Sequence, residues 1–527
     1  MQRNLTSLAE GKFDLLIIGG GIFGAGIARD AAMRGLRVAL VEQNDFASGT
    51  SSQSSKLIHG GFRYLEQRDF ALVAESCRER RILQRIAPYR VKPLPLLLPV
   101  YRHDQRPLWL MRLGMTLYDI LAMYRNVAPH KTLSPGAAIE LEPSMRSEGL
   151  VGAIRYYDCQ EDDARFCIDN VFDAANRGAC CANYCRVTGF QSEGDRLIAA
   201  HVSDQLAVGE FDICARMFIN AAGPWVEQVA GLMTHSSDPL PRLSASKGTH
   251  ILLPRLTQTH GIFFQARGDG RMMFVLPWND CTLVGTTDTD FQGDPAEVRC
   301  DESDVEYLLN AVRGIFPNGA RGDLSTPTPV LRYSEEPDRT SKNPALRSTS
   351  EPASSVNSQA LKPLLSAGDV IATTAGVRPL LNSSAANPSA RSREHQILRR
   401  GENLLSIAGG KYTTYRLIAE QVVDTAFRLL GGRLVRCTTA ITPISIDRPP
   451  RSGEKIADMP EVYASDVEHA VRNEMAMNVE DVMRRRTGLS LSRYGRADVT
   501  KKVEGLLRQA GCQVNLSGIP SSLRGRK

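Results

Sequence analysis

The sequence predicts an α/β protein with three parts: a Rossmann-like dinucleotide-binding domain, an antiparallel β-sheet domain and a small helical C-terminal region. Three observations support this. Residues 13–42 follow the order strand, glycine turn, helix, strand. Residues 245–290 contain short β-branched and aromatic runs separated by turn residues, as expected for antiparallel strands. Residues 467–486 are charged and have helical periodicity.

The first part is recognised by its glycine turn, because an apolar run leads directly into GGGIFG at 19–24. Gly19 permits the tight turn, Gly21 lets the backbone approach a pyrophosphate, and Gly24 lets the following helix pack closely. The N-terminus of that helix offers N–H groups to phosphates. Glu42 ends the second strand, 23 positions after Gly19, where a carboxylate accepts ribose hydroxyls. The alternative is a βαβ unit with a purely structural role.

Composition sets limits on the function. The length of 527 residues predicts two to four domains, and 42% hydrophobic with 23% charged residues is ordinary for a globular protein. The net charge of +6 suits an anionic substrate or a weak attraction to an acidic membrane surface. It gives no support for nucleic-acid binding, which needs a clustered basic face.

Cysteine usage and the N-terminus predict a cytoplasmic protein. The eleven cysteines are scattered, and the one cluster, at 180–185, has no second ligand pair at zinc spacing. We therefore expect reduced thiols and no metal site. The first twelve residues are polar, unlike a signal peptide, and no stretch reaches the ~18 apolar residues of a membrane span.

Three segments stand apart from this plan. Residues 107–124 are strongly apolar and predict a helix. This helix either packs on the protein or lies on a lipid surface. Residues 334–366, rich in Ser, Pro, Thr and Asn, predict a disordered insertion without a core. From about residue 437 the composition changes again, and 437–527 predict a short helical cap.

Further motifs follow the glycine turn in a fixed order. They are TSSQSSKLIHGGFRYLE (50–66), AGPW (222–225), GTTD (285–288), GVRPL (376–380) and GGKYTTYR (409–416). Together with the first βαβ unit, they closely resemble the FAD-dependent glycerol-3-phosphate dehydrogenase family over about residues 12–430. The combination is specific, because a generic flavin amine oxidase shares only the first glycine motif.

The resemblance implies a fold of the glutathione-reductase type. The FAD domain would be discontinuous, comprising about 12–90, 150–240 and 369–430. The substrate domain would comprise about 91–149 and 241–333. The implied reaction is oxidation of sn-glycerol 3-phosphate to dihydroxyacetone phosphate by hydride transfer to FAD, with a membrane quinone as the electron acceptor.

The segment around His59 supplies the first candidates for chemistry. An imidazole titrates near the operating pH, which suits general-base catalysis, and the adjacent glycines permit close approach to a ring. The fork of Arg63 suits a phosphate or a developing oxyanion. Tyr64 is a candidate hydrogen-bond donor to substrate or, equally, a packed aromatic residue. The ordinary alternatives are a structural histidine and a surface ion pair.

The remaining candidates lie far along the chain. Pro379 fixes the backbone beside Arg378, and the resemblance places this arginine over the flavin, where it would hold the substrate. Lys411 would bring positive charge to the N1–C2 side of the flavin, with an ordinary helix-start lysine as the alternative. The resemblance further implies a substrate contact from Thr286 or Thr287 in the β-sheet. It also implies Arg393 as a phosphate ligand, with Arg391 as the nearby competitor.

The resemblance also implies a set of residues for FAD itself. Glycines, hydroxyls and backbone amides can satisfy such a polyanionic ligand. The expected contacts are Gly19, Gly20, Gly21, Phe23, Gly24, Glu42, Gln43, Thr50, Ser51, Ser52, Ser55, Ala222, Gly223, Gly410, Lys411 and Thr413.

Two departures from the family pattern leave some expectations open. The insertion at 334–366 precedes the strand with Arg378, and the helical cap is shorter than usual, so the oligomeric state and membrane contact stay open. We expect a cytoplasmic protein, with peripheral association at the cytoplasmic face of the inner membrane as the alternative. Alternative functions are an oxidase using oxygen, a related FAD-dependent 2-hydroxyacid or amine oxidoreductase, and a non-catalytic flavin-binding module.

Overall fold

The fold is described from a computed structural model that covers residues 1–207, 209–234, 238–319, 365–381, 394–446 and 450–511. It is a mixed α/β structure with two large sheets and a helical C-terminal region, which confirms the predicted fold class. Nearly all of the predicted insertion at 334–366 lies outside the described residues, and so does Arg393.

The strands and helices are numbered in chain order. The strands are β1 (Lys12–Ile18), β2 (Val38–Val41), β3 (Leu57–Ile58), β4 (Lys92–Tyr101), β5 (Lys131–Leu133), β6 (Leu150–Gln160), β7 (Cys180–Ala182), β8 (Cys185–Glu193), β9 (Arg196–Asp204), β10 (Glu210–Asn220), β11 (Ser246–Pro254), β12 (Gly261–Gln265), β13 (Met272–Trp278), β14 (Cys281–Gly285), β15 (Thr289–Asp290), β16 (Ala372–Arg378), β17 (His395–Arg400), β18 (Leu404–Gly409), β19 (Lys455–Asp458) and β20 (Glu461–Tyr463). The helices are α1 (Leu5–Glu10), α2 (Ile22–Met33), α3 (Phe70–Ile86), α4 (Leu108–Leu121), α5 (Pro135–Leu141), α6 (Asp163–Asn176), α7 (Val226–Gly231), α8 (Glu302–Ile315), α9 (Tyr415–Leu430), α10 (Ala464–Glu474) and α11 (Ala497–Gln509).

The first sheet has the order β17-β18-β10-β1-β2-β7, and an antiparallel pair, β8 and β9, joins it at β10. The strands β18, β10, β1, β2 and β7 run parallel. The last four residues of β1 are fully buried, as expected for a parallel strand covered on both faces. The carboxyl ends of β1, β10 and β18 therefore lie at one edge, where α/β sheets bind ligands.

The second sheet is mostly antiparallel and has the order β15-β11-β14-β13-β12-β4-β6-β3, with β16 paired to β11 and β5 to β6. The predicted strand layer at 245–290 corresponds to β11–β15. Strands β6 and β16 also belong to this sheet, although they lie in the ranges 150–240 and 369–430 that we predicted for the FAD domain. The cause is pairing with distant strands, β6 along the length of β4 and β16 along β11.

The C-terminal region has its own small core, which includes Val467, Ala470 and Val503. Our predicted helix at 467–486 is interrupted in the structure. Helix α10 ends at Glu474 and is followed by Met475, whose φ of 55° lies in the left-handed region. A second helical turn spans Asp481–Arg486. Asn478 caps that turn by accepting the backbone N–H of Asp481, and the Asp481 carboxylate accepts the N–H groups of Met477 and Asn478 in return.

Candidate active site

A large cleft lies at the carboxyl edge of the first sheet and extends to the second sheet. It encloses about 1680 Å³ of empty space, including its open mouth. Its walls come from the ends of β1, β10 and β18, from the loop at 48–55, and from the β11–β16 pair. Its lining of glycines, hydroxyl side chains and cations suits a dinucleotide with a small anionic substrate beside it.

The floor of the cleft is the glycine turn. A Cβ at Gly24 would lie 1.9 Å from the carbonyl oxygen of Gly19, so only glycine permits this packing of α2 on β1. Gly19 has a φ of +110°, which glycine alone adopts readily. Gly21 precedes α2, and the Ser51 hydroxyl accepts the first helical N–H, from Ile22, at 2.9 Å. The turn therefore places the α2 N-terminus beneath the cleft, as phosphate binding requires.

Glu42 lies at the end of β2 in the cleft wall, beside Gln43. Its carboxylate accepts the backbone N–H of Gly20 at 2.7 Å and that of Asn44 at 3.0 Å. Burial raises the pKa of Glu42, and these two N–H groups oppose that shift by stabilising the anion. The carboxylate is thus held in one orientation with lone pairs left for ribose hydroxyls.

The serine-rich loop connects the two sheets. The hydroxyl of Thr50 donates to the carbonyl of Val377 at 2.6 Å, directly before Arg378. Ser52 is buried and bonds within the loop to Gly49. Ser55 lies in the cleft wall and is hydrogen-bonded to Nε2 of His250 at 2.8 Å. The hydroxyl side chains of this loop therefore lie between the glycine turn and strand β11.

The expected cofactor residues fit a bound FAD at this cleft. Those in its wall are Gly19, Gly21, Phe23, Glu42, Gln43, Thr50, Ser51, Ser55, Ala222, Gly223, Gly410, Lys411 and Thr413. Three others, Gly20, Gly24 and Ser52, are not in the wall and act through packing and backbone bonds.

The His59 segment lies along one side of the cleft. The Thr413 hydroxyl bridges the backbone N–H and C=O of His59, each at 3.3 Å, so the residue is attached to the start of the α9 segment. Its ring meets Phe274 edge-on at 6.4 Å. Lys411 places its ammonium 4.7 Å from the ring centroid of Tyr64. His59, Tyr64 and Lys411 thus meet at the cleft wall, although they are far apart in sequence.

Arg378 reaches the cleft from the end of β16. Its guanidinium lies across Gly248, where a Cβ would come within 2.2 Å of Nη2. Asp288 holds Nη1 at 3.0 Å, and the Thr286 hydroxyl accepts from Nη2 at 2.9 Å. The Thr287 hydroxyl instead pairs with Thr249 at 2.7 Å inside the sheet. The two threonines therefore differ, because the Thr286 side chain orients the arginine, whereas Thr287 contacts it through its backbone carbonyl at 3.2 Å.

His250 is a residue of the cleft that our sequence analysis treated only as part of a strand. It is buried, and within the described residues its Nδ1 has no hydrogen-bond partner. Burial lowers the pKa of His250 to about 3, and the nearby cations Arg378 and Lys56 add to the shift. Local sequence patterns do not indicate that His250 belongs to the cleft, because its position depends on the strand register that places it opposite Gly285.

Two candidates cannot be placed in the wall. Arg63 is half-buried in the short helical turn Phe62–Leu65, adjacent to Tyr64, and is not part of the cleft wall. Arg393 lies outside the described residues. Their expected roles stay predictions.

The cradle, the antiparallel second sheet and the cleft between them define a flavin-dependent oxidoreductase of the FAD-binding Rossmann type. Residues 14–341 match the family described as FAD dependent oxidoreductase. A glycerol-3-phosphate dehydrogenase of Synechocystis sp. is 31% identical over 93% of this chain and 91% of its own length. An alpha-glycerophosphate oxidase of Streptococcus pneumoniae is 36% identical over 82% of this chain and 74% of its own. The chain therefore belongs to the FAD-dependent glycerol-3-phosphate dehydrogenase and oxidase family, and its cofactor is FAD.

A solved structure agrees with this assignment. The glycerol-3-phosphate dehydrogenase of Bacillus halodurans, complexed with FAD, superposes with a TM-score of 0.69 at 26% identity, covering 96% of this chain and 91% of that one. Several mycobacterial and mitochondrial relatives are longer, and the chain spans only 54–66% of their lengths.

Proposed function

We propose that this protein oxidises sn-glycerol 3-phosphate to dihydroxyacetone phosphate. The observation that carries the proposal is the meeting of His59, Tyr64, Arg378 and Lys411 at one cleft beside the FAD cradle. In that set the guanidinium suits a phosphate dianion, the ammonium suits negative charge on a reduced flavin, and the imidazole suits a hydroxyl proton. A non-catalytic flavin-binding module needs no such set.

In this proposal, FAD supplies the acceptor for the hydride that leaves C2 of the substrate. His59 takes the proton of the C2 hydroxyl. The competing base is His250, but a group whose pKa is lowered to about 3 is a weak base at neutral pH. We therefore assign His250 the role of a neutral hydrogen-bonding partner in the substrate wall.

The proposed substrate-binding group is Arg378, because Asp288 and Thr286 hold its guanidinium in one orientation. A pre-oriented guanidinium loses little side-chain entropy when it binds an anion. Arg63, Tyr64 and Arg393 complete the proposed substrate contacts, and Lys411 provides positive charge near the flavin. In this proposal, the fold brings these groups together from separate elements.

The proposed electron acceptor is a membrane quinone. Helix α4 supports it, since Trp109 and Leu113 expose 68% and 61% of their surface on an otherwise folded domain. The alternative is oxygen, which the oxidase among the relatives favours. The yield of hydrogen peroxide, compared with the rate of quinone reduction by the same preparation, separates the two acceptors.

We further propose that α4 lies on an acidic membrane surface. Its exposed apolar residues alternate with exposed cations along 102–131, including Arg112 and Arg125, whereas Asp119 is buried. Such a face suits an interfacial helix on anionic lipid. None of the described helices is long and apolar enough to cross a membrane.

Anaerobic bleaching of the flavin tests the proposed reaction. Glycerol 3-phosphate should reduce the bound FAD, whereas glycerol, which lacks the phosphate, should reduce it far more slowly. The same measurement is made with candidate 2-hydroxyacids and amines as alternative substrates. Bleaching by one of these, with no response to glycerol 3-phosphate, would replace the proposed substrate by that class.

A further inference from the structure

The peptide bond between His59 and Gly60 is held from both sides. On the cleft side, its carbonyl accepts the Thr413 hydroxyl at 3.3 Å. On the rear side, the N–H of Gly60 donates to the Tyr118 hydroxyl at 3.0 Å and to the Asp158 carboxylate at 3.2 Å. These bonds fix the plane of the peptide, and with it the direction in which the His59 side chain leaves the backbone.

The rear side is a closed, fully buried cluster. The Tyr118 hydroxyl donates to Asp158 at 2.9 Å and accepts from Arg80 at 2.9 Å, and Arg80 also pairs with Asp158. With the Gly60 bond, the hydroxyl uses its one donor and both acceptor positions. Arg80 balances the charge of the buried Asp158 carboxylate, and losing either partner would leave an unpaired buried charge.

Gly60 fits against this cluster without spare room. A Cβ at this position would lie 2.2 Å from the Tyr118 hydroxyl and 2.4 Å from the Cys77 sulfur. Gly61 follows with a φ of +78°, and its carbonyl accepts the N–H of Tyr64 at 2.8 Å. The turn from His59 to Tyr64 therefore depends on the surface behind it as well as on its own backbone.

We propose that Tyr118 is a positioning residue for the His59 turn, acting together with Asp158 and Arg80. It touches neither the cleft nor the substrate, and it acts through the Gly60 N–H. The proposal rests on the proposed function, because the turn matters for catalysis only if His59 meets the substrate. In this proposal, the buried face of α4 positions the His59 turn, whereas its exposed face has a separate role.

Tyr118→Phe tests this role, because it keeps the ring packed against Phe62 and removes only the hydroxyl. We expect the rate of flavin reduction by glycerol 3-phosphate to fall at least about tenfold, since small misplacements of a reacting group are costly. FAD content, reduction by dithionite and the Kd for dihydroxyacetone phosphate should stay near wild-type values.

The matched control is Tyr156→Phe, in the same aromatic cluster with its ring 6.4 Å from that of Tyr118. Equal rates in wild-type protein and Tyr118→Phe would overturn the positioning role, and so would an equal loss in both tyrosine variants, which would indicate general packing. If the wild-type flavin does not bleach with glycerol 3-phosphate, the proposed function fails and this role fails with it. If Tyr118→Phe loses FAD, a role limited to His59 is overturned.

Discussion

At the scale of single residues, Arg378 is the clearest test of substrate binding. Arg378→Ala should lower kcat/KM for glycerol 3-phosphate at least ~100-fold, because it removes a charge-assisted contact to a dianion. FAD should stay bound, since the glycine cradle is untouched. Steady-state kinetics and the flavin spectrum measure the two effects.

Arg271→Ala is the matched control for that substitution. Arg271 contacts the other oxygen of Asp288 at 3.3 Å but does not line the cleft. We expect kcat/KM to fall less than about tenfold in this variant. Near-normal kinetics in Arg378→Ala, or equal losses in both variants, would show that Arg378 does not hold the substrate.

His250 should make the folded protein sensitive to acid. Its pKa is about 3 when folded and near the ordinary 6.5 when unfolded, so below pH 6.5 the unfolded chain binds a proton that the folded protein does not. The resulting destabilisation is absent above pH 6.5, grows as the pH falls and levels off near pH 3. At pH 5 it amounts to about 2 kcal/mol.

His250→Gln should therefore reduce the loss of unfolding free energy between pH 7 and pH 5 by about 2 kcal/mol relative to wild type. Urea titrations at the two pH values measure the difference. An exposed histidine, His201, provides the control in His201→Gln. An unchanged pH dependence in His250→Gln would mean that His250 titrates normally in the folded state.

Sequence spacing alone indicates those candidate site residues whose neighbours lie nearby along the chain. Gly19, Gly24 and Glu42 lie within one βαβ unit, so their spacing already defines the cradle. His250 and Asp288 could not be assigned in this way, because their partners come from β16 and from the serine loop. Which of two adjacent threonines faces Arg378 is likewise set by the pairing of β11 with its neighbours.

At the scale of elements, the same distinction applies. The helix at 107–124 and the strands at 245–290 were predicted from local periodicity, and α4 and β11–β15 confirm them. The membership of β6 and β16 in the second sheet could not be predicted in this way, because it depends on long-range pairing. The break after α10 was missed because it depends on one left-handed residue and on the Asp481 side chain.

Helix α4 is the element that offers a test of membrane association. Leu113→Asp places a charge in the exposed apolar face and should lower binding to anionic vesicles several-fold, because both burial and charge attraction weaken. Activity with a soluble dye should stay unchanged, since Leu113 points away from the cleft wall. Vesicle flotation at low and high salt measures the binding.

Leu434→Asp is the control, because Leu434 is 52% exposed but lies beyond α9 rather than on α4. It should bind vesicles as the wild type does. If the wild-type protein remains fully in the soluble phase at low salt, or if both variants bind equally well, α4 is not the membrane-binding face.

At the scale of the whole molecule, the C-terminal region is joined to the FAD-binding part through Asp45. This buried carboxylate accepts Arg485 at 2.6 Å and Arg486 at 2.7 and 2.8 Å. Burial opposes its ionisation, but the two guanidinium groups outweigh that effect and keep the pKa of Asp45 below its usual value. Asp45 also follows Glu42 and Gln43 in the loop that borders the cleft.

Asp45→Ala should consequently affect both stability and cofactor binding. It leaves two buried guanidinium groups without their main counter-charge, so we expect the free energy of unfolding to fall by about 3–5 kcal/mol. FAD should bind more weakly, because the loop with Glu42 loses its attachment to the C-terminal region. Thermal unfolding with and without added FAD measures both effects, since a ligand that binds the folded state more tightly raises its stability more.

The control is Asp498→Ala, which removes an exposed ion pair with Arg496. This variant should lose less than about 1 kcal/mol of stability and leave FAD binding intact. An Asp45→Ala protein as stable as Asp498→Ala would show that the C-terminal region is held mainly by other contacts, such as the buried pair of Arg165 and Glu474.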